Sequence, residues 1–416
     1  MNNVLVNWMG RMTQERENAI QWLRAIAAIE VVVWHSDLLT KHFAVAAIQS
    51  APLYKPFGGI GVEIFFIVSG YLMCLIRPHY RSAASFMYGR LMRIVPMYWI
   101  FTTLVVVAYA INPNWKLGGS DYGVETLTKS YLVLPQSGYP ILGVGWSLEY
   151  EMIFYVFVAT TMLGIFGRTG VPKRWVAVIL AGVGTIGLGV STTNTSPSAW
   201  NHIVSPYMLL FAYGWSVRCI FESSSEWMRS AFLITSAAAI AGGIGYFWTV
   251  DTPEGRFVFR VLVAAGIFTL VNLARESLQS DNLVNRAGSG LANASYSLYL
   301  SHWFVLSILG KVLGFLKPSP LLEIPIRGFG ITIAIVFALA VYRYVEQPLE
   351  SYLRRNGPFQ GSRQLPRVEV ATFRIVASHA ALAQPVDLAA KAEVQDGAAY
   401  PAALARWIER GRDRDV

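Results

Sequence analysis

The sequence predicts an all-α polytopic membrane protein, a bundle of about ten transmembrane helices with both termini in the cytoplasm. Three observations predict it. Of the 416 residues, 54% are hydrophobic and only 14% charged, and the mean hydropathy is positive, a balance foreign to ordinary soluble domains. The apolar residues fall into runs of spanning length, for which about 20 helical residues suffice. Lysine and arginine collect in alternate loops, sixteen at the inner ends against nine at the outer, which is the positive-inside pattern. The net charge of +9 therefore reads as topology, and no nucleic-acid partner is expected. Cys74 and Cys219, both in or beside apolar runs, form neither a disulfide framework nor a thiolate metal site and are read as small apolar residues.

In chain order, residues 1–18 are expected as a cytoplasmic N-terminal segment, 19–355 as the transmembrane domain and 356–416 as a cytoplasmic, largely disordered tail. The first apolar run, 20–34, is not expected to be a cleavable leader: Glu15, Arg16 and Glu17 precede it, Arg24 and Glu30 interrupt it, and no small-residue cleavage site follows. The second span, 58–76, carries Glu63 near its start. A basic stretch with Arg77, Arg81, Arg90 and Arg93 follows, in which 82–93 is expected as a short interfacial helix. The third span, 94–111, then has Pro96 in its first turn. The loop 112–142, rich in Gly, Pro and Tyr, is expected to be partly ordered over the outer face. A fourth span runs over 145–166, and six more at 175–190, 203–221, 230–248, 257–273, 296–314 and 324–344 complete the ten.

The first span carries charge that a mere anchor would avoid. Eleven residues separate Arg24 from His35, about three helical turns, so Arg24, Ala28, Val31 and His35 form a stripe about 16 Å long. A cation stands at one end of it and a titratable imidazole at the other. With the N-terminus inside, His35, Glu63 and Glu151 share one depth near the outer face. A carboxylate in reach of a histidine orients the imidazole and stabilises its charged form, so Glu151 is expected to assist His35 as general base. Ser147 and Glu151, four apart, share a helical face, while Glu149 points about 160° away, toward the interface. Glu30 is expected to pair with Arg or Tyr inside the bundle. Arg90 and Arg93, three apart, set two guanidinium groups side by side, an arrangement that suits phosphate and equally suits lipid headgroups. His302 is a second intramembrane imidazole, of a kind more often hydrogen-bonded in a core than catalytic. Ser69 is expected to bond its own helix backbone. Metal-ligand spacings, a phosphate-cradling glycine loop and a nucleophile elbow are absent from the sequence.

Together these pieces resemble the membrane acyltransferase-3 family, especially its exopolysaccharide and O-antigen O-acetyltransferase branch, over about residues 21–349. The residues that carry the resemblance are Arg24 and His35 in the first span, G-V-E-I-F-F-I-V-S-G-Y in the second, and R-x-x-R followed by P-x-Y-W from Arg90 to Trp99. G-W-S-L-E-Y-E-M-I-F-Y at 145–155, Y-S-L-Y-L-S-H at 296–302 and V-E-Q-P-L at 345–349 complete the set. Glu63 stands where the family commonly has Asp, and the soluble esterase-like domain of some members is missing. The resemblance implies transfer of an acyl group, acetyl above all, from cytoplasmic acyl-CoA to a carbohydrate hydroxyl at the bacterial inner membrane. No metal is implied. On that reading His35 and Glu151 are catalytic, Arg24, Arg90 and Arg93 bind acyl-CoA, and Glu63, Ser147, Tyr150 and His302 contact the substrate. The partners are the lipid bilayer, the carbohydrate acceptor and polysaccharide-assembly proteins. Intramembrane Arg, Glu and His would equally suit a proton-coupled transporter, although no internal repeat supports that alternative. A non-catalytic subunit of a polysaccharide assembly is the third.

Overall fold

The computed structural model describes residues 2–40, 58–113, 115, 122–166, 170–193, 199–222, 226–249, 253–273 and 283–359. The tail expected to be disordered lies outside them from residue 360 onward. The described residues form helices and turns without a β-strand, as the backbone of a chain in lipid requires if its amides are to be satisfied within each segment.

Helix α1, Asn2–His35, is a single helix that begins well before the expected span. Helix α2, Ile60–Ile76, meets it through Glu30. The Glu30 carboxylate accepts from the amides of Gly59 (3.2 Å) and Gly61 (2.7 Å), where an anion offsets the unsatisfied amides and positive end of a helix. Its partners are thus backbone amides, and the expected Arg or Tyr is not among these hydrogen bonds. Gly59 has φ of +87°, a left-handed conformation that glycine adopts without steric cost.

Helix α3, Ala83–Ile111, starts with a reciprocal capping box between Ser82 and Ser85. The expected interfacial helix and third span are therefore one 29-residue helix with Pro96 in its interior, not its first turn. Membrane helices tolerate such a proline when neighbouring groups satisfy the disturbed backbone, and nearby the Tyr296 hydroxyl donates to the Ile94 carbonyl at 2.7 Å. The long loop contains helix α4, Val124–Leu132. The indole of Trp99 donates to the Tyr131 carbonyl at 2.7 Å and ties α4 to α3.

Helices α5 (Trp146–Thr160), α6 (Lys173–Thr193), α7 (Met208–Glu222), α8 (Glu226–Thr249) and α9 (Pro253–Leu273) follow. Helix α10, Leu283–Asn293, docks on α1 through a 2.9 Å bond from the Trp22 indole to Asn285. Helices α11 (Ser295–Leu316) and α12 (Glu323–Val341) come next, and a π-helical turn, Tyr342–Glu346, joins α12 to α13, Gln347–Asn356. Most of each apolar run expected as a span is helical, with breaks at 204–207 and 161–163, and among the described residues six stretches are long and apolar enough to cross a membrane. They are Ile60–His79, Ala83–Ile111, Lys173–Val190, Asn201–Ile220, Ser295–Leu316 and Pro320–Asn356.

Helix α2 is the hub, packing against α1, α5, α7 and α9. The Ile60–His79 stretch is 78% buried, against 22% for Lys173–Val190, so functional side chains on α2 face protein rather than lipid. A Cβ on Gly214 would strike the Ile67 carbonyl, and one on Gly70 the Phe211 carbonyl. Helices α2 and α7 therefore touch backbone to backbone, the close approach by which small residues associate membrane helices.

Candidate active site

Two cavities lie along the charged stripe of α1, and each takes one of its ends. The first, about 250 Å³, is lined by Arg24, Arg90 and Arg93 together with Ser69, Glu151, Tyr155, Tyr296 and Tyr342. Arg24 donates to Ser295 Oγ at 2.9 Å and to Gln21 Oε1 at 3.3 Å. Arg93 donates to Glu350 at 3.2 Å and stands 4.0 Å from Glu346. Arg90 donates to the Tyr80 hydroxyl at 3.2 Å, while its Nε is buried without a hydrogen-bond partner. A buried guanidinium donor left over in a cationic cavity fits an anionic ligand.

Glu346 was reached through a signature rather than a role. It belongs to V-E-Q-P-L, and the π turn sets it against Ser297, whose hydroxyl donates to it at 2.5 Å. A π turn in a helix often marks a functional position. Glu346 and Glu350 restrain Arg93, and sequence reasoning missed both as site residues.

The second cavity, about 470 Å³, is lined by His35, Glu63, Tyr139, Trp146, Tyr207, Arg260, Tyr299 and Trp303, among others. His35 Nδ1 lies 3.0 Å from the Val31 carbonyl and 3.2 Å from His302 Nε2. His302 Nδ1 in turn lies 3.0 Å from the Leu298 carbonyl. Carbonyls only accept, so His302 is assigned its proton on Nδ1, and its Nε2 accepts from Nδ1–H of His35. That leaves His35 Nε2 unprotonated, as a general base needs. The edge of the Trp303 ring packs on the imidazole with centroids 5.0 Å apart. Arg260 Nε donates to Glu63 at 2.8 Å, and the other carboxylate oxygen of Glu63 is buried without a hydrogen-bond partner.

Tyr299 and Val62 line both cavities. The Tyr299 hydroxyl donates to the Val144 carbonyl at 2.6 Å and accepts from Ser147 at 2.7 Å. The pair Ser147–Tyr299 is thus a fixed polar element in the wall between the arginines and the histidine.

The expected constellation is met in part. Arg24, Arg90 and Arg93 come together, and Glu63 shares a cavity with His35. Glu151 does not reach His35: it lines the arginine cavity and accepts from Ser69 at 3.1 Å and from the Tyr155 hydroxyl. Ser69 accordingly bonds across to α5 rather than to its own helix. The side chain that meets His35 Nδ1 is His302, beside the Val31 carbonyl; it is fully buried and stands outside the cavity lining. Tyr150 lines neither cavity but a third, where its ring stacks on His202. Glu149 does not face the interface; it is 2% exposed and bonded to Gln136 and His202. Cys74 and Cys219 bring their sulfurs to 3.7 Å, a weak thiol contact between α2 and α7.

Among the described residues, a helical bundle thus sets a cavity lined by three arginines and a cavity lined by His35 along one helix. The acyltransferase-3 family profile, described as an acyltransferase domain, matches residues 17–343, and the chain belongs to this family of membrane acyltransferases. It is similar to the exopolysaccharide production protein ExoZ of Rhizobium meliloti (strain 1021), 26% identical over 313 residues that cover 72% of this chain and 90% of ExoZ. It is also similar to nodulation protein 10 of Rhizobium leguminosarum bv. viciae, 27% identical over 330 residues covering 70% of this chain and 83% of that protein. No solved structure matches the chain significantly.

Proposed function

We propose that this acyltransferase moves an acetyl group from cytoplasmic acyl-CoA to a hydroxyl of a cell-surface or exported carbohydrate, in the bacterial inner membrane and beside polysaccharide-assembly proteins. The observation that carries the reading is the division of one helix stripe between two cavities, with Arg24 in the cationic one and the oriented imidazole of His35 in the other. Arg90 and Arg93 hold the CoA phosphates, and Arg24 guides the pantetheine arm toward Ser147 and Tyr299. The acceptor enters from the His35 side, beside the Glu63–Arg260 pair. His35 Nε2 takes the hydroxyl proton as the oxygen attacks the thioester carbonyl. The C–O bond forms, the C–S bond breaks, and the proton passes to the departing CoA thiolate. Glu151 acts on the donor side, holding Tyr155 and Ser69 within electrostatic range of Arg90 and Arg93. His302 serves as a positioning residue, and Tyr150 serves an extension of the acceptor path.

The donor assignment predicts that Arg90→Ala and Arg93→Ala each raise the apparent KM for acetyl-CoA, because each removes charge-assisted donors to phosphate, worth roughly 1.5–3 kcal/mol or about ten- to a hundredfold. Lys at either position restores only part of that loss, since the charge remains but the planar fork is gone. Donor titrations on purified protein decide it, and unchanged donor dependence in both variants returns these arginines to headgroup binding.

The same reading takes ten spans, both termini in the cytoplasm, a membrane domain over 19–355 flanked by cytoplasmic segments 1–18 and 356–416, and the His35 end outside. A cysteine replacing Glu125, on α4, is expected to react with an impermeant thiol reagent in intact cells. One replacing the exposed Arg81 reacts only after lysis. The reverse pattern inverts the sidedness of the mechanism.

A further inference from the structure

We infer that the cavity around Glu149 is a second carbohydrate subsite, holding a neutral sugar joined to the one that receives the acyl group. The inference rests on the acceptor reading above. The cavity is about 380 Å³, within the usual 300–1,000 Å³ range of ligand pockets. It shares Tyr139, Trp146 and Tyr207 with the histidine cavity. Two linked sugars lying over that shared aromatic wall would place one beside His35 and the other here.

The lining matches the two kinds of surface a pyranose presents, an apolar C–H face and a rim of hydroxyls. For the face there is Tyr139, a large aromatic left 63% exposed on the wall common to both cavities, and the Tyr150 ring, stacked on His202 with centroids 4.7 Å apart and planes at 20°. For the rim there is the Glu149 carboxylate. It accepts from Gln136 Nε2 at 2.9 Å, from the Gln136 amide at 3.4 Å and lies 3.1 Å from His202 Nε2. A carboxylate offers about four acceptor positions, and the Glu149 carboxylate in this lining is the acceptor that the inference assigns to a sugar hydroxyl. Among the described residues the lining holds no Lys or Arg, in contrast to the three arginines of the first cavity, so an anionic sugar would meet the Glu149 carboxylate with only the His202 imidazole beside it. Neutral sugars are selected.

The test uses the purified full chain with acetyl-CoA and two kinds of acceptor. One is a size-graded set of oligosaccharides cut from the deacylated surface polysaccharide of the host bacterium, and the other is the methyl glycosides of its neutral constituents. The quantity read is the ratio of kcat/KM for oligosaccharide over glycoside. Gly138 lines the cavity and a Cβ added there meets nothing within 4 Å, so Gly138→Phe is chosen to occupy the subsite. Gln136→Ala removes the 2.9 Å side-chain donor to Glu149 and frees that oxygen to shift. Wild type is expected to favour oligosaccharides, and both variants to lower the ratio at least tenfold, whereas a general folding defect would lower both constants together and leave the ratio intact. A wild type with no length preference, or a preference that both variants keep, overturns the subsite alone. A wild type that acylates none of these acceptors overturns the carbohydrate reading and the subsite with it.

Discussion

Replacing His35 by Ala is expected to abolish acyl transfer while the protein still inserts and folds. General-base loss costs on the order of 10²- to 10⁴-fold, and His35 is the imidazole in the lining of the acceptor cavity. The neighbouring variants separate roles. His302→Phe keeps a buried ring but removes one of the two acceptors facing Nδ1–H, leaving the Val31 carbonyl, so it lowers kcat less than His35→Ala and leaves the KM for acetyl-CoA in place. The double variant His35→Ala, His302→Phe is then no worse than His35→Ala, because the two imidazoles act as one unit. Glu151→Gln touches Ser69 and Tyr155 in the other cavity. Its loss should multiply with that of His302→Phe rather than merge with it, since residues without shared partners add in free energy. Single-turnover transfer assays on variants matched to wild type in melting temperature read all four. Near-normal transfer by well-folded His35→Ala would sink the general-base assignment.

What the sequence disclosed and what it withheld follow one physical line. Hydropathy reports which residues lipid or protein can cover, so the apolar runs and the Arg24 and Arg90–Arg93 groupings were legible from spacing alone. Partners far apart in the chain leave no such trace. Glu63 pairs with Arg260 across 197 residues and Arg93 with Glu350 across 257, and no local period encodes either. Glu149 shows the limit most clearly. It lines a different cavity from Glu151, but protein covers that side of α5 as well, so pointing away from one carboxylate site leads to a second buried site rather than to the interface. A shared depth does not by itself bring His35 and Glu151 into contact: they line different cavities with Tyr299 in the wall of both, and an element formed by two distant segments has no signature in either. His302 was legible as an intramembrane imidazole. Its role depended on which neighbour met Nε2, a fact of packing.

Removing Arg327 is expected to destabilise the protein more than loss of any exposed charge. Its side chain is 1% exposed. Nε donates to Glu323 at 3.0 Å, Nη1 to Ser36 at 2.9 Å and Nη2 to Thr40 at 2.9 Å, so the guanidinium binds the start of α12 to the segment that directly follows His35. Arg327→Met leaves Glu323 buried beside two hydroxyls that have lost a partner, and breaking a buried pair from one side costs about 3–5 kcal/mol. The double variant Arg327→Met, Glu323→Gln is expected to recover part of that loss, since no uncompensated charge is left behind. Arg327→Lys should recover less than the wild-type bond set provides, because an ammonium lacks the flat fork that meets three partners on two segments. Because the clasp fixes Ser36, kcat should fall with stability in Arg327→Met, while the apparent KM for acetyl-CoA, set at the other end of α1, stays near wild type. Unfolding curves in detergent, read beside single-turnover rates, decide the matter: a variant that melts with wild type, or one that loses donor affinity before rate, means that Arg327 does not hold the His35 end of the first helix.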